Sequence, residues 1–242
     1  MSISAVLGDA WRVYVLLFRR SVIVAAVVFL AIAALEVTSG TAAAVLGELA
    51  SLGGPVLVQG ALVLIVRNVH EGNRPAEIID LGRIAGRRFL SLLGASILYV
   101  LGVGLGLLAF IVPGLLAASR WSLMAPGIML EHRTTFRALD RSRALVRGVD
   151  TSLGDRTWTV FGIVAVTFVL TGVIPAAVVI AVFGVHRSPG DWQIVANAVL
   201  STFTAPYAAH VLSVVYYRLT DPDRPAIHPQ VRNWPSVWEG AA

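Results

Sequence analysis

Cysteine and lysine are both absent from this chain of 242 residues, and charged residues make up only 14% of it. The absence of cysteine excludes disulfide bonds, thiol nucleophiles and cysteine-based metal sites. Because an ordinary soluble domain carries about 25% charged residues, the low charge excludes a disordered chain and a typical soluble enzyme. All 19 basic residues are arginines, a bias that is typical of a GC-rich genome.

Signatures of enzymes are also missing. The chain contains no Gly-x-Ser-x-Gly, no phosphate-binding Gly-Lys-Ser/Thr and no His-Glu-x-x-His sequence. No two of its five histidines have the spacing of metal ligands on a helix, and no pair of acids lies inside an apolar run. We therefore expect no catalytic residues, no metal and no cofactor, and we interpret the protein as a non-enzyme.

What the chain does contain is apolar sequence, since 57% of its residues are hydrophobic. A helix needs about 20 residues to cross about 30 Å of hydrocarbon. We therefore predict an all-α polytopic membrane protein with a six-span domain at 1–219, followed by a polar, proline-rich cytoplasmic tail at 220–242. The predicted transmembrane spans are 21–41, 49–66, 89–112, 115–130, 157–185 and 192–217.

The arginines lie almost entirely on one side of these spans. Seventeen fall before the first span, between spans two and three, between spans four and five, or after the sixth. Arg187 alone falls on the other side, and Arg120 lies within a span. The positive-inside rule then places both termini in the cytoplasm of a multi-pass protein of the bacterial plasma membrane. Although the net charge is +5, the arginines are not interleaved with aromatics on a soluble face, so no nucleic-acid partner is expected.

Three cytoplasmic segments have the amphipathic pattern of interfacial helices, namely Ile3–Phe18, Pro75–Arg88 and Thr134–Gly148. Each leads into a span through a basic residue, and these residues (Arg20, Arg88 and Arg156) are spaced 68 residues apart. We interpret this spacing as three helix-hairpin repeats that point the same way; the alternative is a coincidence of topology.

Two sets of residues are candidates for binding an anion or a lipid headgroup. Arg120 lies about two helical turns past the Pro113-Gly114 turn, where a charge costs at least about 2.5 kcal/mol in a membrane. It either contacts an anionic ligand, snorkels to the headgroups or binds fixed protein acceptors. The second set lies four residues apart on one stripe and consists of Arg133, Arg137 and Arg141.

The sixth span carries a polar stripe within about 120° of its helical circumference. We expect this stripe to face the bundle, as interhelical hydrogen bonds or as a path for a substrate. His210 lies off the stripe and is expected to be a hydrogen-bonded structural histidine. The stripe consists of Gln193, Asn197, Ser201, Thr204 and Tyr207.

Small residues and prolines predict local features of the spans. Gly102 and Gly106 form a small-xxx-small pair that indicates close helix packing on the third span. Pro126, Pro175 and Pro206 are expected to kink the fourth, fifth and sixth spans.

The most distinctive local pattern runs from Ile111-Val112-Pro113-Gly114 through Arg120-Trp121, Ala125-Pro126 and Glu131 to Ala138–Gly148 and Trp158. This pattern resembles the bacterial membrane domain found fused in front of some glycerophosphodiester phosphodiesterases, and its stand-alone relatives. The likeness is clearest over residues 102–168. The resemblance implies a membrane anchor or accessory module, without the activity of the fused enzyme, whose catalytic barrel this chain lacks.

Two interpretations of function follow. The first is a non-enzymatic membrane anchor, scaffold or lipid-handling accessory module, with membrane lipids, including anionic headgroups, and a protein partner or a second copy of the chain as its partners. The alternative is a small transporter or permease-like protein for an amphiphile or an anion. A continuous polar cavity from Arg120 to Asn197 would favour transport, whereas a dry, packed interior would favour the scaffold.

The arginine asymmetry makes the topology testable by labelling, because the native chain has no cysteine. A cysteine in place of Pro189 should react in intact cells with a membrane-impermeant maleimide. A cysteine in place of Asn73 should react only after the cells are permeabilised. Labelling of the Asn73 variant from outside would contradict the predicted orientation.

Overall fold

The computed structural model describes residues 2–38, 41–73, 77–147, 155–184, 190–223 and 225–227, and all regular secondary structure there is helical. The all-α class predicted from the sequence is therefore confirmed. A π-helical turn, Val169–Val173, joins α8 to α9. The helices are α1 Ile3–Val37, α2 Thr41–Glu71, α3 Ile78–Arg87, α4 Phe89–Ala109, α5 Ile111–Trp121, α6 Met124–Leu130, α7 Thr135–Arg147, α8 Asp155–Phe168, α9 Ile174–Phe183 and α10 Asp191–Thr220.

Within the described ranges, five segments are long and apolar enough to cross a membrane. Those in α2 and α10 are 56% and 50% buried over their most apolar stretch, so these helices form the interior. The corresponding stretches of α4 and of α8–α9 are only 11% and 17% buried. Exposed apolar helices of this length fit a lipid environment. The five segments are Ile3–Val37, Val45–Glu71, Phe89–Gly106, Arg156–Phe183 and Asp191–Thr220.

The fourth predicted span, 115–130, is not one continuous helix. It is divided between α5, which ends at Trp121, and α6, which begins at Met124. Pro126 has no N–H with which to close the helical hydrogen bond to the carbonyl of Ser122, so the sequence favours a break there. This pair of short helices is the reason why five, and not six, unbroken candidate spans are found in the described part of the chain.

The fifth predicted span is also irregular. Its α-helical pattern changes to the π-helical turn over Val169–Val173, directly before Pro175. Since Pro175 cannot donate to the carbonyl of Thr171, the regular hydrogen-bond ladder is interrupted at this position. The sixth predicted span, by contrast, contains Pro206 inside the single long helix α10.

The first predicted interfacial helix is not a separate element. Ile3–Phe18 and the first span form the single helix α1, capped by the Ser2 hydroxyl, which accepts a hydrogen bond from the Ala5 N–H at 3.4 Å. No glycine or proline occurs between Asp9 and Glu36, so nothing in the sequence interrupts the helix. The other two predicted interfacial helices do form separate helices, α3 and α7.

Antiparallel packing of α1 against α10 joins the two ends of the chain. Asp9, early in α1, pairs with Arg218 near the end of α10. Further along, the Ser21 hydroxyl and His210 Nε2 are 3.0 Å apart, and both side chains are completely buried. His210 is therefore a hydrogen-bonded structural histidine, as the sequence suggested.

The beginning of the predicted tail belongs to the folded part of the chain. Helix α10 continues to Thr220, and Ala226 and Ile227 pack against the apolar core. The remainder of the tail, with its two tryptophans, lies outside the described residues.

Close packing between α4 and α5 depends on a glycine. A Cβ atom at Gly102 would lie 2.0 Å from a ring carbon of Trp121, whereas one at Gly104 would have nothing within 4 Å. We expect Gly102→Ala to lower the stability of the folded state by about 1–3 kcal/mol through overpacking. Gly104→Ala is the matched control, since it makes no clash and improves helix propensity.

Thermal unfolding of the two variants in detergent, followed by tryptophan fluorescence, checks this expectation. Equal unfolding temperatures for the Gly102 and Gly104 variants would show that α4 and α5 do not pack as described.

Candidate functional site

Arg120 occupies the last turn of α5, next to the break that separates α5 from α6. The Ser142 hydroxyl, on α7, donates a hydrogen bond to the Arg120 carbonyl oxygen at 2.6 Å and accepts one from the Leu123 N–H at 3.1 Å. Ser142 is buried and thus satisfies a backbone group on each side of the break. The hydroxyl therefore holds α7 against the backbone of Arg120.

Helix α7 brings two more arginines to this place. Arg143 and Arg147 lie close enough to Arg120 for like-charge repulsion, and the Arg143 guanidinium carbon is 5.6 Å from the ring centroid of Trp121. Within the described residues, no carboxylate forms an ion pair with any of the three. We call Arg120, Arg143 and Arg147 the arginine cluster.

The buried Nε atom of Arg120 has no hydrogen-bond partner in the described part of the chain. The fixed protein acceptor that the sequence analysis considered for Arg120 is therefore not found for this atom among the described residues. A buried guanidinium nitrogen without an acceptor is unfavourable, and neighbouring cations add to that cost. An anion bound beside the Arg120 guanidinium would remove both penalties, because arginine donors match phosphate and carboxylate oxygens.

Of this cluster, sequence reasoning singled out Arg120 alone. Arg143 and Arg147 were used only to predict the membrane topology, although their spacing of four residues puts them on one face of a helix. The sequence does not show that α7 packs against α5, and this packing is what brings Arg143 and Arg147 near Arg120.

The predicted stripe of Arg133, Arg137 and Arg141 is divided by the fold. Arg133 Nε lies 2.5 Å from Glu131 Oε2, and Arg141 Nε lies 2.8 Å from Glu131 Oε1. Arg137 is exposed, with no ion pair among the described residues. Two of the three arginines are therefore held by a carboxylate, and only Arg137 has no carboxylate partner among the described residues.

Glu131 is the centre of this second group of charges. The hydroxyl of Tyr216, on α10, also donates a hydrogen bond to Glu131 Oε1. Burial by itself would raise the pKa of Glu131, but the hydrogen bonds from Tyr216, Arg133 and Arg141 outweigh it and lower the pKa. The hydrogen bond to Glu131 in turn raises the pKa of Arg141. The carboxylate thus joins the end of α6 to α7 and α10.

The residues of the predicted polar stripe on α10 have different surroundings. Tyr207 packs edge-on against the rings of Trp11 and Tyr14 of α1. Thr204 is half-buried and donates to the carbonyl oxygen of Leu200 at 3.0 Å, within its own helix. The buried Oε1 atom of Gln193 has no partner among the described residues.

The remaining two stripe residues, Asn197 and Ser201, line a cavity of about 170 Å³ between α1, α2 and α10. Glu36 contributes its side chain to the same cavity. Arg120 is not among the residues that line it. The arginine cluster and this cavity are therefore distinct features of the molecule.

Comparison of the chain with protein-family models, with curated proteins and with solved structures finds no match. Its function is therefore inferred from the arrangement of charges described above.

The Glu131 cluster gives a prediction with a defined dependence on pH. Because the pKa of Glu131 is lowered in the folded state, its stabilising contribution is complete above the ordinary carboxyl pKa. It is lost as the pH falls through the lower, folded-state value. We expect Glu131→Gln to reduce stability by about 1–3 kcal/mol at neutral pH and to flatten the acid side of the stability profile.

The measurement is the unfolding temperature between about pH 7 and about pH 3, the range in which a carboxyl titrates. Asp140→Asn is the matched control, since Asp140 is exposed on the same helix α7. If the two variants have the same profile, Glu131 does not hold α6, α7 and α10 together.

Proposed function

We propose that the chain is a multi-pass protein of a bacterial plasma membrane, with both termini in the cytoplasm. In this proposal α5 and α6 together make the fourth of the six spans, as a broken helix, and the five continuous segments make the others. The proposal is supported by the distribution of the arginines, 17 of which fall on one side of the predicted spans. The three hairpin repeats are part of the same proposal, with the first interfacial segment continuous with its span.

Within that membrane, the protein acts as a non-enzymatic, lipid-handling accessory module that binds an anionic headgroup at the arginine cluster. One observation carries this function: the buried Nε of Arg120 has no hydrogen-bond partner among the described residues and lies within electrostatic range of two further cations, Arg143 and Arg147. A phosphate group supplies the acceptors and the negative charge that this place lacks. Anchoring or scaffolding of a protein partner, or of a second copy of the chain, is compatible with this role.

The resemblance to the membrane domain that precedes some glycerophosphodiester phosphodiesterases supports the same function. Such domains serve as membrane anchors or accessory modules, and the Arg120-Trp121 pair and the α7 segment belong to the pattern that carries the likeness. Binding is preferred over transport because Arg120 does not line the cavity that contains Asn197.

Lipid-dependent stability tests this function. We expect phosphatidylglycerol to raise the unfolding temperature of the wild-type protein in nanodiscs, compared with phosphatidylcholine, since binding to the folded state stabilises it. Arg143→Gln and Arg147→Gln should each weaken the lipid affinity about fivefold, because a basic residue near a headgroup contributes about 1 kcal/mol.

Arg120→Gln should retain its stability in phosphatidylcholine, since the substitution relieves repulsion between the arginines, and it should lose the response to phosphatidylglycerol.

Arg137→Gln is the matched control, because it removes an exposed arginine from the same helix outside the cluster. If this control loses as much lipid response as the Arg143 variant, the binding is a general surface effect. An Arg120→Gln variant that is unstable in every lipid, yet still responds to phosphatidylglycerol, would assign Arg120 a purely structural role.

A further inference from the structure

The cavity between α1, α2 and α10 is lined by Glu36, whose carboxylate has no cationic partner among the described residues. Glu36 lines this cavity, and no described residue forms an ion pair or a hydrogen bond with its carboxylate. The stem of the side chain is held closely by α2, since a Cβ atom at Gly47 would lie only 2.8 Å from Glu36 Cγ. The stem of Glu36 is therefore packed against α2 beside the cavity, and an unpaired charge in an apolar bundle is costly.

Pro55 leaves a second hydrogen-bond acceptor, the carbonyl oxygen of Ser51, without its helical donor beside the cavity. Pro55 lies inside helix α2 and lines the cavity together with Ser51. Because Pro55 has no N–H, the carbonyl oxygen of Ser51, four residues earlier, has no helical donor at that position. The hydroxyl of Ser51 is itself directed to the backbone, since it donates to the Glu48 carbonyl oxygen at 2.8 Å.

The third helix adds neutral oxygens. Asn197 and Ser201 of α10 line the cavity opposite α1 and α2, and Asn197 is exposed, so a ligand has access. The polar groups of the cavity thus include a carboxylate, a released carbonyl, an amide and hydroxyls, contributed by three helices. Such a set accepts hydrogen bonds and carries one negative charge.

We propose that this cavity binds a primary ammonium group, carried by a lipid headgroup such as ethanolamine or by a free small amine. An ammonium group has three N–H donors and one positive charge, which match the acceptors and the charge of Glu36. A quaternary ammonium has no N–H to donate and is recognised mainly by aromatic rings, and among the described residues Phe29 alone contributes a ring to the lining.

The volume of the cavity agrees with such a ligand. At about 170 Å³ it is many times larger than the roughly 10–15 Å³ of cavity that one water molecule needs. A bare monovalent ion would leave most of that space empty, whereas an ethanolammonium group fills more of it. This binding site shares no residue with the arginine cluster, so the two proposals stand or fall separately.

The test uses the full chain in detergent at neutral pH. We expect ethanolammonium chloride to raise the unfolding temperature in a saturable manner, and tetramethylammonium chloride at the same concentration to have no such effect. Glu36→Gln should weaken the apparent affinity about tenfold or more, because it removes a charge-assisted hydrogen bond. Pro55→Ala should weaken it to a smaller extent, since the alanine N–H occupies the carbonyl of Ser51.

Glu77→Gln is the matched control, because the exposed Glu77 side chain makes no capping hydrogen bond at the start of α3. It should respond to ethanolammonium like the wild type. Comparison of phosphatidylethanolamine with phosphatidylcholine nanodiscs then separates the two sources of the ammonium group. A Glu36-dependent response to phosphatidylethanolamine identifies a headgroup, and a response to the free amine alone identifies a soluble amine.

Three outcomes would overturn the proposal. The first is the same response to ethanolammonium and to tetramethylammonium. The second is an unchanged affinity in a Glu36→Gln protein that folds normally. The third is the absence of any response to the free amine and to phosphatidylethanolamine, in which case Glu36 binds no ammonium group.

Discussion

Hydrocarbon offers no hydrogen-bond partners, so every polar group inside an apolar helical bundle has to find its partner within the chain or in a ligand. Most polar side chains here satisfy this constraint locally. Thr167, Thr202 and Ser213, for example, donate to the carbonyl oxygen four residues before them. Others are satisfied between helices, as in the pair of Ser21 and His210. The Oε1 atom of Gln193, the Nε atom of Arg120 and the carboxylate of Glu36 have no partner among the described residues, and both proposals start from the two charged groups among these three.

The same short helix, α7, organises two opposite electrostatic environments. Arg141 on one part of it binds Glu131, whose carboxylate also receives Tyr216 from α10. Arg143 and Arg147 instead meet Arg120, where no described carboxylate balances them. The first environment is closed and serves stability, whereas the second leaves positive charge and donors open to an anion. Neighbouring residues of one helix thus take different roles because they project in different directions.

The prolines and the charged residues show which features can be predicted from neighbouring residues in the sequence and which cannot. Pro126 and Pro175 were expected to kink their spans, and the missing N–H groups indeed coincide with a break and with a π-helical turn. The size of each disturbance was not predictable, because it depends on what fills the gap: Ser142, from another helix, satisfies the backbone beside the first break. The arginine stripe on α7 was likewise predicted from periodicity, but periodicity contains no information about Glu131.

By itself, the sequence determined the helical class, the long apolar segments and the one-sided distribution of arginine. These properties follow from composition and from spacing along the chain, and they need no contact between distant residues. Only the tertiary structure decided which charges are paired. Tyr216 reaches Glu131 across 85 residues of sequence, and Asn197 shares a cavity with Glu36 because α10 packs beside α1. The pairing of a charge depends on distances between helices, and those distances are set by packing of side chains throughout the bundle.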